Sequence, residues 1–274
     1  MTFRNAISPF RVMLLACLTS VALAGQVLAS ESEKPAAQNW SFNGMRGTYD
    51  RAALQRGFQI YKEVCATCHS MSLLSYRNLG GGKGFAAGDE MASGPGFSEA
   101  EVKAIAAEYK VKDGPNDQGE MFERPARPSD RLVGPFANEQ AARASNNGAL
   151  PPDLSLMIKA RENGADYVYA LLTGYGETPA DFKLSDGLYY NSAFPGHQIA
   201  MPKPLQGEDV KFADGTKATL EQEARDVVQF LAWAAEPNLE ARHRAGFEVL
   251  GFLVILTGLF YVLKRRIAKR LGLH

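Results

Sequence analysis

The chain has 274 residues, of which 46% are hydrophobic and 22% charged, so it is long enough for one or two domains with a hydrophobic core. This composition excludes a disordered protein, a collagen-like repeat and a polytopic membrane protein, and three cysteines are too few for a disulfide scaffold. The 30 basic and 30 acidic side chains also argue against nucleic-acid binding, which usually needs a basic excess.

The charge is unevenly distributed along the chain. Residues 30–246 hold 23 of the basic and 29 of the acidic side chains, a formal charge of −6. Both ends are basic. Any function must therefore account for an acidic middle between two basic termini.

Residues 1–29 are predicted to be a cleaved export signal. Two arginines precede an apolar run at residues 12–23, and the small residue Val27 and Ala29 then provide a signal-peptidase site. An uncleaved anchor helix is the alternative, but the run is short for a membrane span. A mitochondrial transit peptide would be richer in arginine and amphipathic, which favours a bacterial export signal. Cys17 would then be absent from the mature chain.

The first helix of the mature chain is predicted from Asp50, an N-cap residue, toward Cys65. One apolar face recurs at helical spacing and is formed by Leu54, Phe58, Tyr61 and Cys65. Gly57 weakens the helix in mid-turn, so we expect it to allow the close approach of another element.

The segment Cys65-Ala66-Thr67-Cys68-His69 is the signature of c-type haem attachment. Two thiols three residues apart on one turn reach both vinyl groups of one porphyrin, and His69 then reaches the iron. A redox dithiol is the alternative, but it needs no histidine and usually lies in a βαβ unit. A zinc site would need a second ligand pair, and the mature chain has no other cysteine. The sequence therefore predicts one covalently attached haem c, which also gives a loop-rich head an apolar body to pack against.

The chain after this motif is irregular. Residues 80–96 contain seven glycines, and the tripeptide Gly82-Lys83-Gly84 is compatible with a nucleotide-binding loop. No strand precedes that segment and no acidic residue follows at the right distance, so a flexible surface loop is favoured. A short helix is predicted at residues 99–109. Few strand-like alternations and no internal repeat follow, which indicates a mainly α domain with long loops.

The last helix of the head is predicted to begin at Thr219. Thr219 and Gln222 have the spacing of a capping box, and an apolar stripe then continues until the chain reaches Pro237.

The sixth iron ligand decides between electron transfer and ligand chemistry, because an open position binds small molecules. The candidates are His197, His243, Met45, Met71, Met91, Met121, Met157 and Met201. Met201 lies in a loop stiffened by Pro202 and Pro204, which favours a rigidly held thioether and a raised potential. His197 is the rival and would give a lower potential.

The C-terminal segment is predicted to cross a membrane. Residues 247–263 are apolar except for Glu248 and Thr257, and span roughly 25 Å as a helix. A buried core helix is the alternative, but the five basic residues at 264–270 directly after the apolar run are unfavourable in a soluble core. The positive-inside rule places this tail in the cytoplasm and the acidic head outside.

Further short sequence segments, spread over about residues 40–266, resemble those of a known protein family. They are residues 56–61, 65–71, 113–116, 119–122, 144–155, 166–168, 171–175, 187–191, 194–196, 201–202 and 230–237. In this order the segments resemble the cytochrome c1 family, the haem subunits of cytochrome bc1 (ubiquinol:cytochrome c oxidoreductase) complexes.

The resemblance implies a set of haem contacts. The residues concerned are Cys65, Cys68, His69, Met201, Arg161 and Tyr167, with His69 and Met201 on the iron. Arg161 and Tyr167 match the pair that contacts the propionates, which suits a cation and a hydroxyl beside carboxylates. A carbonyl at Pro151 or Pro152 is expected to accept the ring N–H of His69.

Two features depart from the family pattern. Residues 80–96 have no counterpart in it, and His197 stands where a non-basic polar residue is expected. The extra disulfide of some bacterial relatives is also impossible here, because no cysteines remain for it.

The expected architecture is a mainly α, cytochrome c-like haem domain with long loops and one C-terminal transmembrane helix. Residues 1–29 form the signal peptide, 30–240 the extracytoplasmic haem domain, and 241–274 the anchor with its basic cytoplasmic tail. The localisation expected is the bacterial inner membrane, with the haem domain in the periplasm.

The resemblance implies a one-electron carrier rather than an enzyme on its own. Its expected partners are cytochrome b, the Rieske iron–sulfur protein, a soluble cytochrome c and membrane lipid, without nucleic acid. Two alternatives stay open: a stand-alone membrane-tethered cytochrome c serving an oxidase, and a haem enzyme or gas sensor with an open iron site.

Overall fold

The structure is a computed structural model that describes residues 34–81 and 94–272. The predicted signal peptide at residues 1–29 lies outside the described residues. So does most of the glycine-rich segment, at residues 82–93. The predictions made for these two segments therefore stay predictions.

The described chain is mainly helical, as predicted. Its α-helices are α1 (Arg51–Glu63), α2 (Glu99–Ala107), α3 (Glu139–Ser145), α4 (Gly164–Thr173), α5 (Leu220–Ala235) and α6 (Leu239–Leu271). Short 3-10 turns cover Cys65–Thr67 and Tyr76–Leu79. Two small antiparallel sheets pair β1 (Lys110–Asp113) with β2 (Phe122–Pro125), and β3 (Tyr189–Tyr190) with β4 (Gln198–Ile199).

The core forms where α1 packs against α5, and Gly57 permits that approach as predicted. A Cβ atom on Gly57 would lie 2.2 Å from the backbone oxygen of Asp226 and 2.7 Å from Cβ of Phe230. The rings of Phe58 and Tyr61 on α1 then lie 5.6 and 5.8 Å from that of Phe230. Aromatic packing of this kind stabilises the pair of helices beyond simple burial of area.

The helix starts are capped largely as the sequence indicates. The Asp50 carboxylate accepts hydrogen bonds from the backbone N–H groups of Ala52 and Ala53, at 3.0 and 3.2 Å. The Thr219 hydroxyl accepts from the N–H of Gln222 at 3.3 Å. The other half of the predicted capping box does not form, because the Gln222 amide donates instead to Asp226.

Two helices were not predicted in the long irregular stretch. α3 has only seven residues, and α4 is preceded by Asn163, whose backbone is left-handed and whose side chain makes no cap. Because α4 lacks an N-cap signal, only the spacing of its buried residues Ala165, Val168 and Leu172 indicates a helix. The predicted helix at residues 99–109 is present as α2, which ends at Ala107.

The C-terminal helix α6 is continuous with the head. It runs for 33 residues and is long and apolar enough to cross a membrane. It begins at Leu239, which is buried in the head, before the apolar run starts at Phe247. The Glu240 carboxylate accepts the backbone N–H of Tyr49 at 2.7 Å and a guanidinium N–H of Arg51 at 2.6 Å. The helix is therefore fixed to the head by its first turn.

Candidate haem-binding site

The haem-attachment motif forms one tight turn directly after α1. The backbone carbonyl of Cys65 accepts the N–H groups of Cys68 at 3.1 Å and of His69 at 2.9 Å. These two bonds hold the two cysteines and the histidine on a single turn, the arrangement that attachment to one porphyrin requires.

Neither thiol of the motif is in a disulfide, and both are partly exposed. Burial, together with the neighbouring Cys68 thiol, raises the pKa of Cys65 to about 12. A redox-active dithiol needs a lowered thiol pKa, so this environment argues against that alternative. An uncharged thioether suits the same environment well.

One hydrogen bond sets the orientation of the His69 ring. Its Nδ1 lies 2.7 Å from the carbonyl oxygen of Pro152, an acceptor, so Nδ1 carries the proton. The expected contact is thus confirmed, and Pro152 rather than Pro151 makes it. Burial lowers the pKa of His69 and keeps the ring neutral. Its Nε2 lone pair is then free to bind a metal, as in other metal-binding histidines whose second nitrogen is hydrogen-bonded.

Asp153 holds the segment that carries Pro152. Its carboxylate accepts from the Ser70 hydroxyl, the Ser72 N–H and the Ser155 N–H, each at 2.8 Å. Burial alone would raise the pKa of Asp153, but hydrogen bonds from Ser155 and Ser72 hold it well below its usual range. The carboxylate therefore ties the residues after His69 to the residues that orient its ring.

Met201 lies, half-buried, just after β4. The Tyr175 hydroxyl donates to the backbone carbonyl of Met201 at 3.0 Å. Burial, with a smaller contribution from Tyr167, raises the pKa of Tyr175 well above its usual range, which keeps the hydroxyl protonated as a donor. The candidate sixth ligand is thus fixed by strand pairing before it and by a hydrogen bond at its own backbone.

Arg161 precedes α4, and Tyr167 lies in its first half. Burial raises the pKa of Tyr167 and the positive charge of Arg161 lowers it, so the two side chains are close enough to interact. Arg161 is exposed and donates to the carbonyl of the adjacent Ala160. Among the described residues no other group pairs with either polar end, so both can serve an anionic ligand.

His197 is tied to its own turn. Its Nδ1 lies 3.0 Å from the Ser192 carbonyl, and its ring packs against Phe182 and Tyr190, with centroids 6.3 and 6.1 Å away. His243 lies on α6, and Met71 is fully buried in the core. Burial in the core argues against Met71, whereas the choice of Met201 over His197 stays a prediction.

Sequence reasoning missed two residues of the site. Tyr175 lies beyond the end of α4, where no periodicity applies. Asp153 follows two prolines, and only its potential to accept backbone N–H groups in a turn could have pointed to it.

The family model of the Cytochrome C1 family matches residues 40–271. A Bradyrhizobium diazoefficiens protein named cytochrome b/c1 is 49% identical over 255 residues, which cover 86% of this chain and 36% of that protein. Cytochrome c1 2, a mitochondrial haem protein of Arabidopsis thaliana, is 51% identical over 81% of this chain and 69% of its own length. Cytochrome c1 of Rhodospirillum rubrum is 45% identical over 83% of this chain and 85% of its own. The chain thus spans only about a third of the Bradyrhizobium protein.

Proposed function

The chain belongs to the cytochrome c1 family, and we propose that it is the membrane-anchored electron carrier of a cytochrome bc1 complex. It takes one electron from the Rieske iron–sulfur protein and passes it to a soluble cytochrome c in a respiratory or photosynthetic chain. On its own it is not an enzyme. The observation that carries the proposal is the Cys65–Thr67 turn, with the neutral His69 ring held by Pro152.

Four residues would hold one covalently attached haem c. Cys65 and Cys68 would form its thioethers, and His69 and Met201 would bind its iron. The bound group supplies exchange of one electron between two oxidation states of its iron. Hydrogen bonds at the His69 ring and at the Met201 backbone would help to hold both residues in place.

Arg161 and Tyr167 are proposed to bind the two propionates. A guanidinium forms strong charge-assisted hydrogen bonds with carboxylates, and a protonated phenol adds a donor beside it. The raised pKa of Tyr167 keeps that donor available at neutral pH.

The proposed topology follows from α6 and the charge pattern. After removal of residues 1–29, α6 crosses the bacterial inner membrane once, beside cytochrome b. The bases at residues 264–270 remain in the cytoplasm and the acidic head lies in the periplasm. Membrane lipid then surrounds α6, and a soluble cytochrome c binds to the head. No nucleic acid is involved.

The sixth ligand is tested by redox titration of the haem α-band in the detergent-solubilised protein and in Met201→Leu. The expected wild-type potential is clearly positive, and the variant should lower it by on the order of 0.2 V, because a soft thioether favours the reduced iron. The reduced variant should also bind carbon monoxide. Met121→Leu is the matched control, since Met121 is 63% exposed. An unchanged potential in Met201→Leu would indicate that His197 is the sixth ligand or that the sixth position is open. An open position would support the sensor or enzyme alternative.

Membership of a complex is tested separately by purification from the native membrane in mild detergent. Cytochrome b and a Rieske protein should accompany the chain in fixed proportion. Recovery of the haem protein alone would favour a stand-alone tethered cytochrome.

A further inference from the structure

Met201 lies two residues beyond a short hairpin that is formed by β3, a turn at residues 191–197 and β4. Each strand of this β3–β4 hairpin has only two residues. An isolated two-stranded hairpin is marginally stable at best in water, even with longer strands. Strand pairing by itself therefore cannot fix the position of Met201, and contacts from outside the hairpin must do so.

Asn191 is the first residue of the turn, and it is completely buried. Its side-chain oxygen accepts hydrogen bonds from the backbone N–H groups of Ala193 and Phe194, at 3.0 and 3.1 Å. Its own backbone N–H donates to the carbonyl of His197 at 3.1 Å. These bonds hold the turn closed from both of its ends.

The amide of the same side chain reaches out of the turn to α4. Its Nδ2 donates to the carbonyl of Leu171 at 2.8 Å. Leu171 lies in the last turn of α4, where backbone carbonyls have no partner within the helix. Because the oxygen meets two donors and the nitrogen meets an acceptor, these partners also determine which way round the amide lies. One side chain thus joins the β3–β4 hairpin to the end of α4.

The hairpin and the end of α4 are in close contact around this bond. The N–H of Ser192 donates to the carbonyl of Gly174 at 2.9 Å. A Cβ atom on Gly174 would lie 3.0 Å from Oγ of Ser192 and 3.1 Å from Oδ1 of Asn191. The junction is therefore tight enough that a change at Asn191 must be transmitted to the hairpin.

Two bonds together relate Met201 to α4. Asn191 holds the hairpin that precedes Met201, and the Tyr175 hydroxyl donates to the Met201 carbonyl itself at 3.0 Å. The backbones of Tyr175 and Asn191 also form an antiparallel bridge. Since α4 carries Tyr167, one helix holds a proposed propionate contact and, through Asn191, the segment with the proposed ligand.

We propose that Asn191 is a positioning residue for electron transfer, whose amide holds the β3–β4 hairpin against α4 and so keeps the Met201 thioether on the iron. Asn191 acts through the backbone of the hairpin and not by contact with the iron. The inference rests on the proposed binding of the iron by Met201.

The test uses Asn191→Asp in the full-length haem-loaded protein. A carboxylate still accepts the two turn N–H groups but can no longer donate to Leu171. The oxidised wild type should show the weak long-wavelength absorption band of a bond between ferric iron and a thioether, and the variant should lose most of it. Carbon monoxide binds to the reduced iron only after Met201 has left. Its binding should therefore be about tenfold faster in the variant, which corresponds to about 1.4 kcal/mol for one buried hydrogen bond.

The chain offers a matched control at the end of α3. Nδ2 of Asn146 donates to the carbonyl of Ala142 at 2.7 Å, so Asn146→Asp removes the same kind of bond from a helix without a proposed haem contact. This variant should keep the band and the carbon monoxide rate of the wild type, even where its thermal stability falls.

A second variant separates loss of the donor from burial of a charge. Asn191→Ser introduces no charge and keeps a hydroxyl as an acceptor in the turn, but it is too short to reach Leu171. It should change the band and the carbon monoxide rate in the same direction as Asn191→Asp, and it is the test variant if Asn191→Asp does not fold. Thermal unfolding establishes which variants are folded.

Three other outcomes would overturn the inference. An unchanged band and an unchanged carbon monoxide rate in folded Asn191 variants would mean that Asn191 only stabilises the fold. Equal effects in Asn191→Asp and Asn146→Asp would indicate general loosening of the head instead of positioning. Absence of the band from the wild type would refute Met201 as the ligand in the proposed function as well, whereas the first two outcomes leave that ligand intact.

Discussion

A single carboxylate behind the haem-attachment turn supports the orientation of His69. Asp153 accepts three hydrogen bonds and immediately follows Pro152, the residue that holds the imidazole. Its importance is hidden in the sequence, because turn-forming aspartates are common and nothing in the spacing links it to His69. The attachment motif itself is local, so the sequence alone predicts the roles of Cys65, Cys68 and His69.

We expect Asp153→Asn to lower the free energy of unfolding by about 2–4 kcal/mol at neutral pH, because an amide cannot accept all three bonds and loses the charge. The depressed pKa of Asp153 adds a pH dependence. Its stabilisation is present above the usual pKa of 3.8 and is lost as pH falls through the lower folded value. Denaturant unfolding of the haem-loaded protein measures both effects.

Asp186→Asn, at an exposed carboxylate, is the control and should change neither quantity. Equal stability of wild type and Asp153→Asn would show that Pro152 is positioned without Asp153.

Glu223 on α5 holds the loop that follows the Met201 segment. One carboxylate oxygen accepts the backbone N–H groups of Asp209 and Val210, at 2.9 and 3.3 Å, while the other has no partner among the described residues. Burial, followed by the proximity of Asp209, raises the pKa of Glu223 from its usual 4.5 to about 7. Between these two values the folded protein binds more protons at Glu223 than the unfolded chain does.

Between about pH 4.5 and 7 the unfolded state binds fewer protons at Glu223, so its contribution to stability falls as pH rises. The slope is at most about 1.4 kcal/mol per pH unit. Glu223→Gln cannot ionise, so the stability difference between variant and wild type should move in favour of the variant across this window. Parallel stability curves from pH 4 to 8 would contradict the assignment.

At the scale of elements, the contact between α1 and α5 depends on the absence of one side chain. Gly57→Ala places a Cβ 2.2 Å from the Asp226 carbonyl. On an exposed helix the same change would stabilise by about 1 kcal/mol through helix propensity. Here the two helices must move apart, so we expect a loss of about 3 kcal/mol or more in the free energy of unfolding.

The control for this prediction is Gly246→Ala on α6, where a Cβ meets nothing within 4 Å. It should not destabilise the protein. A stabilising effect of Gly57→Ala would mean that the helices pack less closely than the structure shows.

The helices differ in how well the sequence indicates them. α1, α2 and α5 each combine a capping side chain with an apolar stripe, and each could be predicted. α4 follows the left-handed Asn163, whose side chain makes no cap, so the sequence carries no signal for the start of this helix. In α5, Gln222 was the predicted capping partner of Thr219, but its side chain donates to Asp226 instead. Asp226 is held in this position by its ion pair with Arg56. Such tertiary competition cannot be seen in a local pattern.

At the scale of the whole molecule, the anchor and the head form one continuous unit. α6 starts within the head, where Leu239 is buried and Glu240 is bonded to Tyr49 and Arg51. The head is therefore fixed to the first turn of this long apolar helix instead of being joined to it by a free tether. In an electron carrier of this kind, the position of the anchor limits where the head can meet a partner. The electric field of the head then affects which charged molecules approach it.

That field should make electron transfer to a charged partner depend on salt. Residues 30–246 carry a formal charge of −6, so a basic soluble cytochrome c should be attracted over a distance set by the ionic strength. The second-order rate of electron transfer from the reduced protein should fall by about tenfold or more as salt rises from low to high concentration. Stopped-flow spectroscopy in a salt series measures this rate. An uncharged small-molecule oxidant is the control and should react at a rate independent of salt. A rate to cytochrome c that rises with salt would mean that the surface around the haem is not acidic, and that the negative charge lies elsewhere on the head.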